Sequence, residues 1–460
     1  MNENSSVFQN DYFGQTTLDP LGLVAIVFLG LAMLVVSRKY ATWPMLIMAC
    51  FVPPAQRVAV FALNFDLLRI IVLFGSIRIF LRAEWRGFHW NVLDYMVVAW
   101  CLYSLVTFSI LFMSPEAIKY KLGFSYDVLG MYYLFRILIR DWCDIDEICR
   151  ALIILSLPVL AAFLLEHSTG RNVFAALGGV PAITDIREGR LRCQGAFAHP
   201  ILAGCFWASA MPLLVAQWWR QRIPRWLTMT GVVASGGIVL LCASSTPVST
   251  MIIGIPAMVM FLWKRHLKVV LWGIVTMVLM LQLVMQHPIW WLVTYVNIVG
   301  GSTAWFRYIL MQSAFDHMHE WWLIGSNLGT AHWGEGLVDV TNYYIVQGLH
   351  GGLLLLTLFF GMFVVGFVVI MRVVRRADSF RGRAIMGWAI GVALLMHAAN
   401  FIGVSYFGQI QVIWYMQLAM IGSLGVLHSS SLGKRGATKS TLAYHPQQGT
   451  PLCHAVMSSA

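Results

Sequence analysis

The chain has 460 residues, of which 59% are hydrophobic and only 11% charged; its mean hydropathy is +0.73. Soluble domains carry about 25% charged residues, so a water-soluble globule is excluded and the bilayer must solvate most of the apolar surface. The formal charge of +11 does not point to nucleic acid, because the basic residues fall in short clusters between apolar runs, as orientation signals do.

The first twenty residues are polar, with no basic or early apolar stretch, so no cleavable signal peptide is expected. Apolar runs then follow at 21–36, 43–63, 67–80, 92–113, 126–139, 148–165, 201–218, 226–243, 250–263, 269–285, 343–371, 384–401 and 410–427. The second is interrupted by Pro53, Pro54 and Arg57 and reads as a broken helix. Runs of this length do not alternate, which argues against a barrel. Backbone groups in lipid must also be satisfied within the segment, which leaves helices. The expected fold class is all-α: a polytopic transmembrane bundle of about 12–14 helices.

Orientation comes from alternate loops. Arg38 and Lys39, Arg82 and Arg86, Arg140 and Arg150, Arg220 to Arg225, Lys264 to Lys268, and Arg372 to Arg383 all fall on one side, which the positive-inside rule makes cytoplasmic. This gives a polar outer N-terminus (1–20), transmembrane helices over 21–286 with an outer loop at 167–199, and a large outer loop at 287–341. C-terminal transmembrane helices follow at 342–428, then a cytoplasmic tail at 429–460, polar enough to be expected disordered. The eight cysteines suggest no disulfide framework, since most lie in apolar runs or cytoplasmic segments and Cys193 stands alone in an outer loop. No internal repeat is visible.

The two outer loops carry the residues suited to chemistry. Arg187, Arg190 and Arg192 sit in REGRLRCQGAFAHPILAG, which also holds His199, and they run against the basic-inside bias. Guanidinium forks grip phosphate oxygens at two points and keep their charge; the plainer reading is surface pairing with Asp185 and Glu188. Arg307 is the one Lys or Arg between His287 and Asp339, on a helix-like piece from Trp305 to Trp322 rich in interfacial aromatics; its plainer role is to snorkel to lipid headgroups. Asp316, His319 and Glu320 share a helix face, and with His332, Glu335 and Asp339 they supply candidate bases. One face falls short of a metal set. No metal or cofactor is expected. Thr341 and Asn342 open the next span, where either suits a helix N-cap, and Gly348, Gly351 and Gly352 permit close helix approach. Asp66 and Arg69 are spaced to pair locally.

In order and placement, RLRCQGAFAHPILAG, AWFRYILMQSAF, LIGSNLG and TNYYIVQGLHGG resemble the O-antigen ligase and O-antigen polymerase family of bacterial membrane glycosyltransferases. The motifs cover Arg190 to Gly352; the N-terminal half is similar in hydropathy alone. The resemblance implies an enzyme of the cytoplasmic (inner) membrane that moves a glycan from a polyprenyl (undecaprenyl) pyrophosphate carrier to an acceptor glycan or lipid on the periplasmic side. It implies that Arg192 and Arg307 match the family's pyrophosphate-holding arginines, with Asn342 at the site and Arg187, Arg190, His199 and Thr341 nearby. The ligases place a histidine directly before the asparagine. Thr341 stands there instead, which favours a polymerase-like or exopolysaccharide branch and leaves the base among His319, His332, Asp316 and Asp339. The readings from other classes are a secondary transporter or lipid-linked glycan flippase and a non-catalytic subunit of a polysaccharide-assembly machine. Transporters favour mid-membrane charge and repeated halves, whereas here most charge lies in loops.

Overall fold

The computed structural model of the protein describes residues 16–60, 63–295, 304–377 and 380–438. Most of the polar N-terminus, a piece of the large loop at 296–303 and the end of the tail at 439–460 lie outside the described residues. In chain order the elements are α1 (Pro20–Val35), α2 (Trp43–Phe51), β1 (Arg57–Val60), β2 (Leu63–Asp66), α3 (Leu67–Leu81), α4 (Val92–Phe112), α5 (Pro115–Leu138) and α6 (Trp142–Thr169). Then come β3 (Asp185–Arg187), β4 (Arg190–Arg192), α7 (Pro200–Arg220), α8 (Arg225–Leu241), α9 (Ser245–Val259), α10 (Leu267–Val284), α11 (Ala304–Asp316) and α12 (Met318–Trp321). The chain closes with α13 (Tyr343–Arg376), α14 (Arg381–Gly403) and α15 (Ile410–Thr438). The protein is an all-α, multi-pass helical membrane protein, and its strands form two small antiparallel hairpins, β1–β2 and β3–β4.

Among the described residues, seven helical runs are long and apolar enough to cross a membrane: α4, α6, α7, α13, α14, the Ile410–Leu427 portion of α15, and the run Ser245–Val284 that contains α9 and α10. Helices α1 and α8 are shorter and apolar. The centre of the bundle is α7, packed against α8, α9 and α14, with α13 lying between α4 and α14 and α15 against α5. Leu213, Leu214, Ile390, Ala393, Met416 and Ala419 at this centre are fully buried. At seven helix starts (α1, α3, α4, α5, α6, α7 and α13) side chains close orphan N–H groups. Asn91 with Asp94, and Asp141 with Asp144, form capping boxes on α4 and α6. The same carboxylates take cations: Asp94 accepts from buried Arg136 at 3.0 Å and Asp144 from half-buried Arg38 at 2.6 Å.

Four elements differ from the hydropathy reading. Helix α2 ends at Phe51, and Pro53 and Pro54 lead into a hairpin rather than a broken span. Helix α5 begins at Pro115, well before its apolar run, because Lys121 and Asp127 turn inward and are buried. The Trp305 to Trp322 piece is two helices, α11 and α12, separated at His317. Helix α15 continues to Thr438, into the stretch expected as tail. The Asp66–Arg69 pairing also takes another form. Asp66 caps α3 by accepting the Arg69 N–H at 2.8 Å, while the Arg69 guanidinium grips Asp127 through two bonds of 2.7 Å.

Helix α13 is interrupted at Gly351 and Gly352. The freed backbone groups are met by the loop after α12: Leu353 N–H donates to the Trp322 carbonyl at 2.8 Å, and Ser326 N–H to the Leu349 carbonyl at 2.9 Å. Backbones this close leave no room for a Cβ. At Gly352 (φ +68) it would overlap the Leu323 carbonyl, and at Gly325 (φ +100) the Leu349 carbonyl. Gly348 lies against Trp321, where a Cβ would sit 2.6 Å from the ring. The left-handed backbone alone costs a residue with a Cβ about 1–2 kcal/mol. Gly352→Ala is therefore expected to lower the thermal unfolding temperature in detergent measurably, whereas Gly273→Ala, with open space around it, leaves it unchanged.

Candidate functional site

The hairpin β3–β4 turns at Glu188 (φ +49) and Gly189 (φ +75), the two successive positive φ values of a type I′ turn, which matches strand twist. Its register sets Asp185 opposite Arg192, and Arg192 Nη1 donates to Asp185 at 3.2 Å. The chain then bends at Gly195 (φ +57), where a Cβ would overlap the Phe163 ring. Glu166, at the end of α6 and fully buried, clamps this bend by accepting from Gln194 N at 3.1 Å, Gly195 N at 2.9 Å and Thr184 Oγ1 at 3.2 Å. Asn172 Nδ2 adds a bond of 2.7 Å to the Gly195 carbonyl. The bend after Arg192 is thus fixed before α7 begins at Pro200, the first helical position, with His199 as its capping residue.

Arg307 arrives from the opposite direction, in the first turn of α11. It is 8% exposed. Its Nη2 donates to Thr246 Oγ1, in the first turn of α9, at 3.0 Å, and its Cζ lies against Gly403 at the end of α14, 3.3 Å from where a Cβ would stand. Arg307 makes no ion pair among the described residues. The two arginines line one cavity of about 290 Å³, shared with Arg187, His199, Asp339 and Thr341 and closed by Ser244, Ser245, Ser405 and Phe407. Buried polar atoms left without a partner collect here: Arg192 Nε, Arg307 Nε and Thr341 Oγ1. Native structures hold few such atoms, and a cluster of them in a cavity marks a place where a ligand completes the bonding.

The cavity lining is electropositive, with Arg187, Arg192 and Arg307 facing Asp339, while Asp185 pairs with Arg192 from beside it. Burial, and the Arg187 charge nearby, push the Arg307 guanidinium below its ordinary value. Burial also pushes His199 down from 6.5 to about 4, helped by Arg192 and Arg187. His199 is therefore neutral at pH 7. Its Nδ1 accepts the Ile201 N–H at 3.2 Å, so the ring proton resides on Nε2 and the group is a hydrogen-bond donor rather than a base. Asp339 is exposed, carries no hydrogen bond or ion pair among the described residues, and is the one carboxylate on the cavity.

The structure thus brings Arg187, Arg192, His199, Arg307, Asp339 and Thr341 together, and leaves the other candidates elsewhere. Arg190 is exposed on the hairpin and does not line the cavity. Asn342 turns its oxygen to the Tyr344 and Ile345 N–H groups and caps α13. Asp316 accepts from Gln312 at 3.0 Å. His332 bonds Glu320 at 2.9 Å, while His319 stacks on His317, which stacks in turn on Trp333; this cluster lies off the cavity. Glu166, Thr246, Gly403 and Phe407 were given no role from the sequence. A carboxylate at the outer end of a span was the one available signal for Glu166, and the short α14–α15 connection offers none. Among the described residues, no three His, Cys, Asp or Glu side chains gather as a metal set.

Compared with known proteins, the chain matches no family model and no curated protein.

Two outcomes follow from this geometry. Removing one buried, unpaired charge relieves a desolvation cost, so Arg307→Met is expected to raise the thermal stability of the ligand-free protein, by on the order of 1 kcal/mol or more; a structural arginine would give a fall. For His199, the folded state resists the proton that the unfolded chain accepts near 6.5. Its contribution is therefore complete above that pH and is lost as pH drops towards 4. His199→Asn keeps a capping acceptor and should flatten the stability–pH curve over that window.

Proposed function

We propose that the protein is a membrane glycosyltransferase that moves a glycan from a polyprenyl (undecaprenyl) pyrophosphate carrier to an acceptor glycan or lipid, at the outer face of the bacterial cytoplasmic membrane, in O-antigen or exopolysaccharide assembly. The observation that carries this reading is one cavity holding Arg192 and Arg307, each with an unpartnered buried Nε. The two come from segments far apart in sequence, and a pyrophosphate supplies acceptor oxygens for the Nε of each and an anion for Arg307, Arg192 already holding Asp185 through Nη1. Two of the motifs that resemble the O-antigen ligase and polymerase family, RLRCQGAFAHPILAG and AWFRYILMQSAF, contain these same arginines. Thr341, standing where the ligases carry histidine, favours the polymerase-like branch.

Helix direction supports an outer position for the cavity. Helix α7 runs from Ile201 on the cavity to Arg220, and α13 from beside Thr341 to Arg375 and Arg376. Helix α14 runs the other way, from Arg381 to Gly403. The basic loops therefore lie at the end away from the cavity, which by the positive-inside rule favours an outer cavity.

In the reaction, the acceptor hydroxyl oxygen bonds to the anomeric carbon of the donor sugar. The bond from that carbon to the pyrophosphate oxygen breaks, and its electron pair leaves with the pyrophosphate. Arg192 and Arg307 meet the charge that develops on the leaving oxygen, fixed in place before the reaction. His199, neutral, presents Nε2–H to the same cavity. Asp339 takes the hydroxyl proton, being the carboxylate that faces the arginines without a partner of its own. The arginines do the work a metal would do elsewhere, so transfer is expected to persist in chelator.

A second reading, a carrier for lipid-linked glycans, draws on the break in α13 at Gly351 and Gly352 and on the ion pair Arg69–Asp127 within the bundle, since transporters build sites at interrupted helices. It predicts movement of the lipid across liposomes without glycan transfer.

The test is glycan extension by purified protein supplied with a polyprenyl-linked repeat unit. Charge-assisted contacts contribute about 1.5–3 kcal/mol, so Arg192→Ala or Arg307→Ala should slow transfer about ten- to a hundredfold while the protein still inserts. Lys should restore only part, because an ammonium lacks the fork. Near-normal polymer from the double Ala variant would refute the assignment.

A further inference from the structure

A second cavity, of about 440 Å³, adjoins the first. Ser405 and Phe407 line both, and Val340 faces the second where its neighbour Thr341 faces the first. Four charged side chains line it: Asp66, Arg69, Asp127 and Lys121. Three of them are accounted for. Arg69 and Asp127 hold one another by two bonds of 2.7 Å, and Asp66 caps α3. Lys121 is not. It is 2% exposed, makes no ion pair among the described residues, and donates only to neutral groups, Ser104 Oγ at 3.0 Å and His350 Nδ1 at 3.1 Å. The Phe108 and Phe124 rings flank its ammonium at 4.5 and 4.7 Å.

An ionisable side chain buried in a membrane bundle is expensive and marks a site more often than it supports a fold. Aromatic rings offset part of that cost, but a third N–H of the ammonium remains for a ligand. With Nδ1 accepting from Lys121, the His350 proton resides on Nε2, a further donor with no protein partner among the described residues. The remaining lining suits a sugar ring: the amides of Gln347 and Gln411 for hydroxyl groups, and the Tyr343 and Phe407 rings for the apolar faces.

We propose that this second cavity is the acceptor site and takes a sugar bearing a carboxylate, with Lys121 and His350 recognising the anion and the shared wall at Ser405 and Phe407 bringing the acceptor hydroxyl beside the donor cavity. The proposal deepens the transferase reading and rests on it for the word acceptor; the binding itself does not depend on transfer. Lys121 is a specificity residue here, whereas Arg307 belongs to the donor cavity.

The experiment is isothermal titration of full-length protein in nanodiscs with an oligosaccharide ending in glucuronate and with its neutral glucose counterpart. Wild type should bind the acidic sugar at least tenfold more tightly than the neutral one. Lys121→Met should remove that preference, and Arg307→Met should leave it intact. His350→Ala, which takes away the Nε2 donor, should weaken acidic-sugar binding severalfold and serves if Lys121→Met does not fold. Equal binding of both sugars, no binding of either, or a preference lost in Arg307→Met and kept in Lys121→Met or His350→Ala overturns the proposal. If the acidic sugar binds through Lys121 but no glycan moves from a polyprenyl pyrophosphate donor, the site stands and the transferase reading falls.

Discussion

A guanidinium removed from water and given no counter-ion among the described residues is held at a cost, and the fold accepts that cost at Arg307. The side chain is wedged between the start of α9, at Thr246, and the end of α14, at Gly403. These helices meet α7 at the centre of the bundle, so the position of the charge is set by the best-packed part of the protein. An arginine left to itself would snorkel out to water. Here it is 8% exposed and retains an unpartnered Nε. Stability given up in this way is characteristic of sites prepared for a ligand rather than of supporting structure.

The elements around the cavity are built to keep it rigid. Glu166 binds two successive backbone N–H groups and a threonine hydroxyl, which turns the loop after Arg192 into a fixed arm. On the other side, Gly325 and Gly352 let the loop after α12 rest directly on the interrupted α13, and that loop connects the helix of Arg307 to Asp339 and Thr341. Irregular backbone at membrane depth is tolerated where other backbone satisfies it, and the two bonds between these segments do so. The same interruption places His350 next to Lys121, so one feature of α13 serves both cavities.

Much of this was legible in the sequence. Apolar runs gave the helices, because the hydropathy of α4, α6, α7 and α13 is strong enough to need no context. Arg192 and Arg307 stood out as basic residues in loops that the charge pattern reads as outer. What was hidden depends on partners distant in the chain. Lys121 and Asp127 make α5 look short, and only the arrival of His350 and Arg69 shows that they face inward. Thr246, in the first turn of α9, and Phe407, in the short α14–α15 connection, carry no compositional signal. Asn342 was read beside the chemistry, yet its oxygen is spent on the cap of α13; capping and catalysis use the same residue types, and only geometry separates them.

The central claim is that the Arg192–Arg307 cavity is shaped for a pyrophosphate. The most direct measurement is binding of a short-chain polyprenyl pyrophosphate to the purified wild-type protein, compared with the corresponding monophosphate. Two forks with free Nε groups predict that the pyrophosphate binds at least tenfold more tightly, that inorganic pyrophosphate competes, and that binding raises the unfolding temperature. Equal affinity for the two lipids, or binding unaffected by inorganic pyrophosphate, would contradict it.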